Sequence, residues 1–204
     1  MKEYLPAIRA QRSEPRNSLD DFPTPPWATR ALIEHIIKEK NVRGLSCLEP
    51  ACNRGYMTEA LKQYFKSVTA LDIHDYGYGK VANFLNSSHP QNSYDWVITN
   101  PPFNAAKDFV LRSLPIARKG VALLVRTGFL ESKDRYNSIF NNFPPSVFAQ
   151  FTERVPMLKG RLDKNKSTAT SYGWLIWNKN QSAPTKLVWI PPCRKQLEKE
   201  GNYP

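Results

Sequence analysis

Between Trp27 and Val125, short apolar runs alternate with stretches whose apolar residues recur at helical spacing. That alternation leaves few folds open. Ala28, Ala31, Leu32, His35 and Ile36 mark one face of a helix over 27–40, introduced by Pro25-Pro26. Leu45-Ser46-Cys47-Leu48 reads as a buried strand that stops at Glu49-Pro50. Met57 to Lys66 reads as a second helix, and Ser67 to Leu71 as a strand ending in Asp72. Tyr94 to Thr99 is a strand closed by Asn100-Pro101-Pro102; a helix from Ala105 to Ala117 and a strand from Gly120 to Val125 follow. Strands this short and this apolar must be covered on both faces, which predicts a parallel, two-sided α/β sheet. After Val125 the style changes. Val147 to Val155 and Thr168 to Asn178 read as longer strands, an antiparallel pair at one edge of the sheet, with a short strand at Lys186 to Ile190.

A chain of 204 residues suits a single domain. We divide it into an N-terminal arm with scattered charges (1–21), one domain (22–190) and a loose C-terminal tail (191–204). With 41% hydrophobic residues and five Trp, the composition excludes a disordered chain. The longest apolar run, Val121 to Val125, is too short for a membrane span, and Met1 to Pro6 lacks the apolar core of a signal peptide. Three Cys without a C-x-x-C pair argue against a disulfide framework and a cysteine zinc site. A reducing, cytoplasmic setting is expected. The charge is lopsided: residues 1–100 hold 12 basic and 11 acidic side chains, residues 101–204 hold 17 and 7. An excess of ten positive charges in the second half suits a polyanion, nucleic acid first.

In open α/β sheets ligands bind beyond the carboxyl ends of the strands. Three predicted strand ends carry unusual chemistry. Glu49-Pro50-Ala51-Cys52-Asn53-Arg54-Gly55 is a tight strand-to-helix turn, with Asn53 and Gly55 where positive φ is needed. Asp72 ends the next strand, where a carboxylate can accept both hydroxyls of a ribose. Asn100-Pro101-Pro102-Phe103 ends the third. Its two prolines remove two donors and hold the chain extended, leaving the Asn100 oxygen and the Pro101 carbonyl as rigid acceptors beside an aromatic face. Two fixed acceptors and a stacking ring form a socket for a planar, amino-bearing substrate.

The glutamate-initiated loop, the downstream Asp72 and N-P-P-F together resemble the class I S-adenosylmethionine-dependent amino methyltransferases. They are most similar to the DNA adenine-N6 enzymes of phage or prophage type, over about residues 20–178. The resemblance implies a Rossmann-like methyltransferase fold and S-adenosylmethionine as cofactor, with no metal. It implies that Glu49, Pro50, Ala51, Asn53 and Gly55 surround the cofactor, and that Thr24 and Pro25, within Phe22-Pro23-Thr24-Pro25, close over its methionine part. Asp72 would hold the ribose and Ile73 flank the adenine. Asn83-Phe84-Leu85 stands where the family often has Asp-Phe-Leu, so Asn83 would meet the adenine amino group. Asn100 and Pro101 would hold the target amine, with Phe103 stacking on the base. Methylation of adenine in DNA is the expected activity. Protein glutamine and ribosomal RNA amines are alternative acceptors, and a nucleic-acid-binding protein with a degenerate cofactor pocket is the non-enzyme alternative.

For contact with the DNA backbone the basic half offers Arg126, Lys133, Arg135 and Arg154, and four residues of one hairpin loop: Lys159, Arg161, Lys164 and Lys166. Pro191-Pro192-Cys193 is similar to the nucleophilic Pro-Cys of cytosine-C5 methyltransferases, but it falls in the tail with no site around it. His35, His74 and His89 have no metal-ligand spacing.

Overall fold

The computed structural model describes residues 20–180 and 184–203. Its eight-stranded sheet runs β1 (Ser46–Glu49), β2 (Ser67–Asp72), β3 (Lys80–Val81), β4 (Tyr94–Thr99), β5 (Ala117–Arg126), β6 (Val147–Phe151), β7 (Tyr172–Asn178) and β8 (Lys186–Ile190) along the chain. In space the order is β3-β2-β1-β4-β5-β7-β6-β8. Strand β7 runs against both β5 and β6, and the other pairings are parallel. The expected antiparallel pair therefore forms, with β8 added parallel outside it.

Successive residues of the central strands feed two separate cores, one on each face of the sheet. Ile98, Leu124 and Trp174 pack on one side with Trp27, Leu32 and Met57. Val97, Leu123 and Leu175 pack on the other with Leu48, Phe84 and Phe109. This is the period-two pleat of a sheet covered on both faces. Gly120 on β5 permits one close approach: a Cβ there would lie 2.5 Å from the ring of Trp96 on β4. Gly120→Ala is expected to destabilise the fold by about 1–3 kcal/mol through overpacking. The measurement is urea unfolding, where the midpoint falls and the slope stays unchanged.

The helices are α1 (Pro26–Ala31), α2 (Tyr56–Leu61), α3 (Ala106–Ile116), α4 (Lys133–Arg135) and α5 (Arg194–Leu197). The single helix expected over 27–40 is α1 followed by a wider turn over Leu32–Ile37, and it stops at Lys38, whose φ is 73°. Strands β6 and β7 are shorter than expected. Val155 and Met157, beyond β6, turn into the core instead of extending the ladder.

The segment expected to be a loose tail is docked. Buried Arg30 donates from Nη1 to Leu197 O at 2.7 Å and to Asn202 Oδ1 at 2.6 Å. Glu153 Oε1 accepts from the backbone N–H groups of Cys193 and Arg194 at 2.6 and 2.8 Å. Residues 1–19 of the arm lie outside the described residues.

Candidate active site

The carboxyl ends of β1, β2 and β4 open onto one cavity of about 380 Å³, crossed by a strap of residues 20–24. Small-molecule and cofactor sites usually span roughly 300–1,000 Å³.

The first wall is the turn after β1. Glu49 is buried, and Thr58 Oγ1 donates to its Oε2. Burial above all, then the charge of Asp72, pushes its carboxyl up to about 8 against the opposing Thr58 bond. Asn53 sits at φ 50° and Gly55 at 81°. A Cβ on Gly55 would lie 2.5 Å from the Tyr78 ring, so the second left-handed position also needs the absence of a side chain. The turn is stitched to β2: Cys52 N donates to Leu71 O, and Asn53 N to Asp72 Oδ2, each at 2.8 Å.

The second wall holds Asp72 and Ile73. Asp72 Oδ1 accepts from His74 N at 3.0 Å, so each carboxylate oxygen already holds one backbone donor and retains a lone pair. Ile73 is 51% exposed and forms an apolar ledge on the cavity. Beyond β3, Asn83 Oδ1 accepts from Leu85 N at 3.0 Å. The amide oxygen expected to meet an adenine amino group thus holds one backbone donor and retains a second lone pair. Phe84 is buried against Phe109, ring centroids 5.1 Å apart.

The third wall is Asn100-Pro101-Pro102. Asn100 Nδ2 donates to Phe22 O and to Thr24 Oγ1, both at 3.1 Å. These bonds use the two amide hydrogens and settle which way the amide points. Asn100 Oδ1 is left buried, with no hydrogen-bond partner. A buried acceptor left without a donor costs about 1–3 kcal/mol and is a place where a ligand N–H fits.

The strap carries residues that sequence reasoning missed. Asp21 accepts from Arg54 Nη1 and Nη2 at 2.7 and 3.0 Å, and from Asn53 Nδ2 at 2.8 Å. Burial pushes the Asp21 carboxyl up, but the bonds from Arg54 and Asn53 and the Arg54 charge outweigh it and hold it below its usual range. Asp21 O accepts from Gly160 N at 2.8 Å, and Asp20 Oδ2 from Phe103 N at 2.7 Å. The available signal was position: Asp20-Asp21 directly precede Phe22-Pro23-Thr24-Pro25. Tyr56, His74 and Tyr76 also line the cavity.

Of the expected site residues, Thr24, Glu49, Pro50, Ala51, Asn53, Asp72, Ile73, Asn83, Phe84, Asn100 and Pro102 line this cavity. Pro25, Gly55, Pro101 and Phe103 lie outside its lining. The Phe103 ring packs on Phe22 at 5.2 Å, and Arg126 lies over it, the guanidinium carbon 3.7 Å from the ring centroid. Arg126 therefore sits beside the Asn-Pro-Pro turn.

Arg135 also departs from expectation. It donates to the carbonyls of Phe129, Glu131 and Gly128, at 2.6, 3.1 and 3.3 Å, and stacks on Phe129. Its hydrogens close a turn, which no charge count reveals. Lys133, Lys159, Arg161, Lys164 and Lys166 are exposed. Cys193 is buried; burial first, then Glu153, pushes its thiol up to about 12, unsuited to a nucleophile. Among the described residues no group of three or more His, Cys, Asp or Glu could hold a metal ion, and no helix is long and apolar enough to cross a membrane.

No protein-family model matches the chain, and no curated protein matches it. Solved structures do. A Listeria monocytogenes protein assigned to the class I S-adenosylmethionine-dependent methyltransferases superimposes with a TM-score of 0.59 at 12% identity, over 85% of this chain and 67% of that one. A modification subunit assigned to a type I restriction enzyme of Vibrio vulnificus gives 0.61 at 16% identity, over 89% of this chain and 48% of that one. This chain thus spans about half the length of that subunit. A Pyrococcus horikoshii protein assigned as an RNA methyltransferase gives 0.58 at 16% identity, over 82% of this chain and 90% of that one. With its sheet order and its antiparallel β7, the chain has the Rossmann-like fold of these methyltransferases.

Proposed function

We propose that the chain is an S-adenosylmethionine-dependent methyltransferase acting on the exocyclic amino group of adenine in DNA. The observation that carries this reading is Asn100: both amide hydrogens are spent on the strap, and Oδ1 is buried without a partner. A site built to accept hydrogen bonds from a planar amine looks like this.

The cavity fits the cofactor. Asp72 offers free lone pairs at the end of β2 for a ribose diol, and Ile73 an apolar ledge for an adenine. Thr24, Glu49 and the 50–53 turn would surround the methionine part. When bound, the cofactor supplies a methyl group already activated by a positively charged sulfur.

The chain's own part is positioning. An exocyclic amine is a weak nucleophile because its lone pair is delocalised into the ring. Holding both N–H groups on Asn100 Oδ1 and the Pro101 carbonyl directs that lone pair out of the ring plane, and the displaced proton leaves to solvent. No dedicated base is needed; orientation and fixed dipoles carry the step. A base within a duplex must first leave the stack. The excess of positive charge in residues 101–204, and the two similar folds assigned to nucleic-acid modification, support a nucleic-acid acceptor.

The test is incubation of the full chain with methyl-labelled cofactor and separate DNA, RNA and protein acceptors, followed by digestion. N6-methyladenine from DNA is the expected product. Label found only in glutamine or only in RNA overturns the DNA reading, and label nowhere overturns the enzyme. Asp72→Ala is expected to weaken cofactor binding in calorimetry by about 1.5–3 kcal/mol, since it removes hydrogen bonds to a charged acceptor.

A further inference from the structure

Arg126 ends β5, next to the β4 end that carries Asn100. Its guanidinium carbon lies over the Phe103 ring, 3.7 Å from the centroid, and Phe22 packs against the same ring at 5.2 Å. The ring expected to receive a base is covered. Phe22 is held by the strap, its carbonyl bonded to Asn100, whereas Arg126 is a long side chain on the last residue of a strand. Its Nε is buried without a hydrogen-bond partner, while the rest of the guanidinium hydrogen-bonds the neighbouring Tyr172 and interacts with it by charge. A guanidinium over an aromatic ring is attracted to it, whereas a buried N–H without an acceptor is disfavoured. The position over Phe103 thus leaves Nε without an acceptor, and an anion offering two oxygen acceptors nearby satisfies the whole fork and competes for the side chain.

Resting on the amino-methyltransferase reading, we infer that Arg126 is a placeholder in the acceptor pocket, moved off Phe103 by the phosphate next to the incoming adenine. One planar cation thus makes entry of the base conditional on the backbone that delivers it. A free nucleoside must displace Arg126 without compensation, and a nucleotide offers a new partner in exchange. The acceptor class is an adenine nucleotide unit within a polyanion, and uncharged amides are disfavoured at the same step.

The experiment measures binding of deoxyadenosine and of deoxyadenosine 5′-monophosphate by ligand-observed NMR. The cofactor pocket is saturated with S-adenosylhomocysteine, so neither ligand reports on that site. The wild-type chain is expected to prefer the monophosphate at least about tenfold. Arg126→Ala should bind deoxyadenosine more tightly than wild type and lose the preference for phosphate. Arg126→Lys, with its charge but no planar group, should keep part of that preference and also admit deoxyadenosine. Unchanged binding in Arg126→Ala, or equal loss of both ligands in a variant with unaltered melting temperature, overturns the inference. The two readings fail separately. A chain that methylates DNA but shows no such contrast refutes the placeholder alone; a chain that shows the contrast but yields no N6-methyladenine refutes the proposed reaction alone.

Discussion

Asn100→Ala is expected to lower methyl transfer at least about 100-fold, because it removes an acceptor that matters most while the amine reshapes. Cofactor affinity should change little. The structure sharpens the test, since Asn100 also holds the strap through Phe22 O and Thr24 Oγ1. Asn100→Asp supplies carboxylate oxygens but no N–H groups, so it keeps acceptors and loses the strap bonds. Single-turnover rates measured beside cofactor titrations separate the roles. A rate loss with intact cofactor binding assigns Asn100 to the amine. Parallel losses of rate and cofactor affinity in both variants make it a strap residue and remove the main support for the proposed reaction.

The second large effect concerns the surface. Lys159, Arg161, Lys164 and Lys166 are exposed within one eight-residue stretch, and Arg161 lies 4.0 Å from Asp163. If all four meet phosphates, their joint neutralisation to Gln lowers DNA affinity by as much as about three orders of magnitude at 0.1 M salt. The log–log salt slope should flatten by about 0.9 for each phosphate no longer neutralised. Binding isotherms at several salt concentrations measure both quantities. An unchanged slope places the DNA elsewhere, and intact cofactor binding verifies that the variant is folded.

The strand-end logic that located the cavity was legible because it depends on order along the chain. Glu49, Asp72 and Asn100 each follow an apolar run, and the parallel order β2-β1-β4 brings those ends to one rim. What failed depends on partners distant in sequence or invisible to composition. Arg30 is one cation in an apolar helix, and its partners lie 167 and 172 positions later, so the docked tail was not foreseeable. Arg126 and Arg135 count the same as Lys159 in a charge sum, yet one stacks on Phe103 and the other closes a turn. For Arg126 the signal existed: it ends the most apolar strand, beside β4, and the rule that placed Asn100 also applies there. Asp21 bonds residues 32 and 33 positions away, which an acidic pair at the edge of a proline-rich segment does not announce.

The strap has a consequence for the order of events in turnover. Asp20 holds Phe103, Asp21 holds Asn53, Arg54 and Gly160, and Phe22 and Thr24 hold Asn100. Four of the five residues 20–24 thus fasten the turn after β1, the Asn-Pro-Pro turn and the base of the basic loop in a single latch. If the proposed cofactor leaves past this strap, lifting it also breaks the contacts that hold Asn100, so the two proposed ligands are not exchanged independently. On the proposed DNA reading, methylation of successive sites on one molecule is expected to need release and rebinding between transfers, a distributive mode. Pre-steady-state kinetics should show a burst of one methyl group per enzyme followed by slower cycles set by unlatching. Under DNA excess, doubly methylated molecules should appear only after singly methylated ones have accumulated.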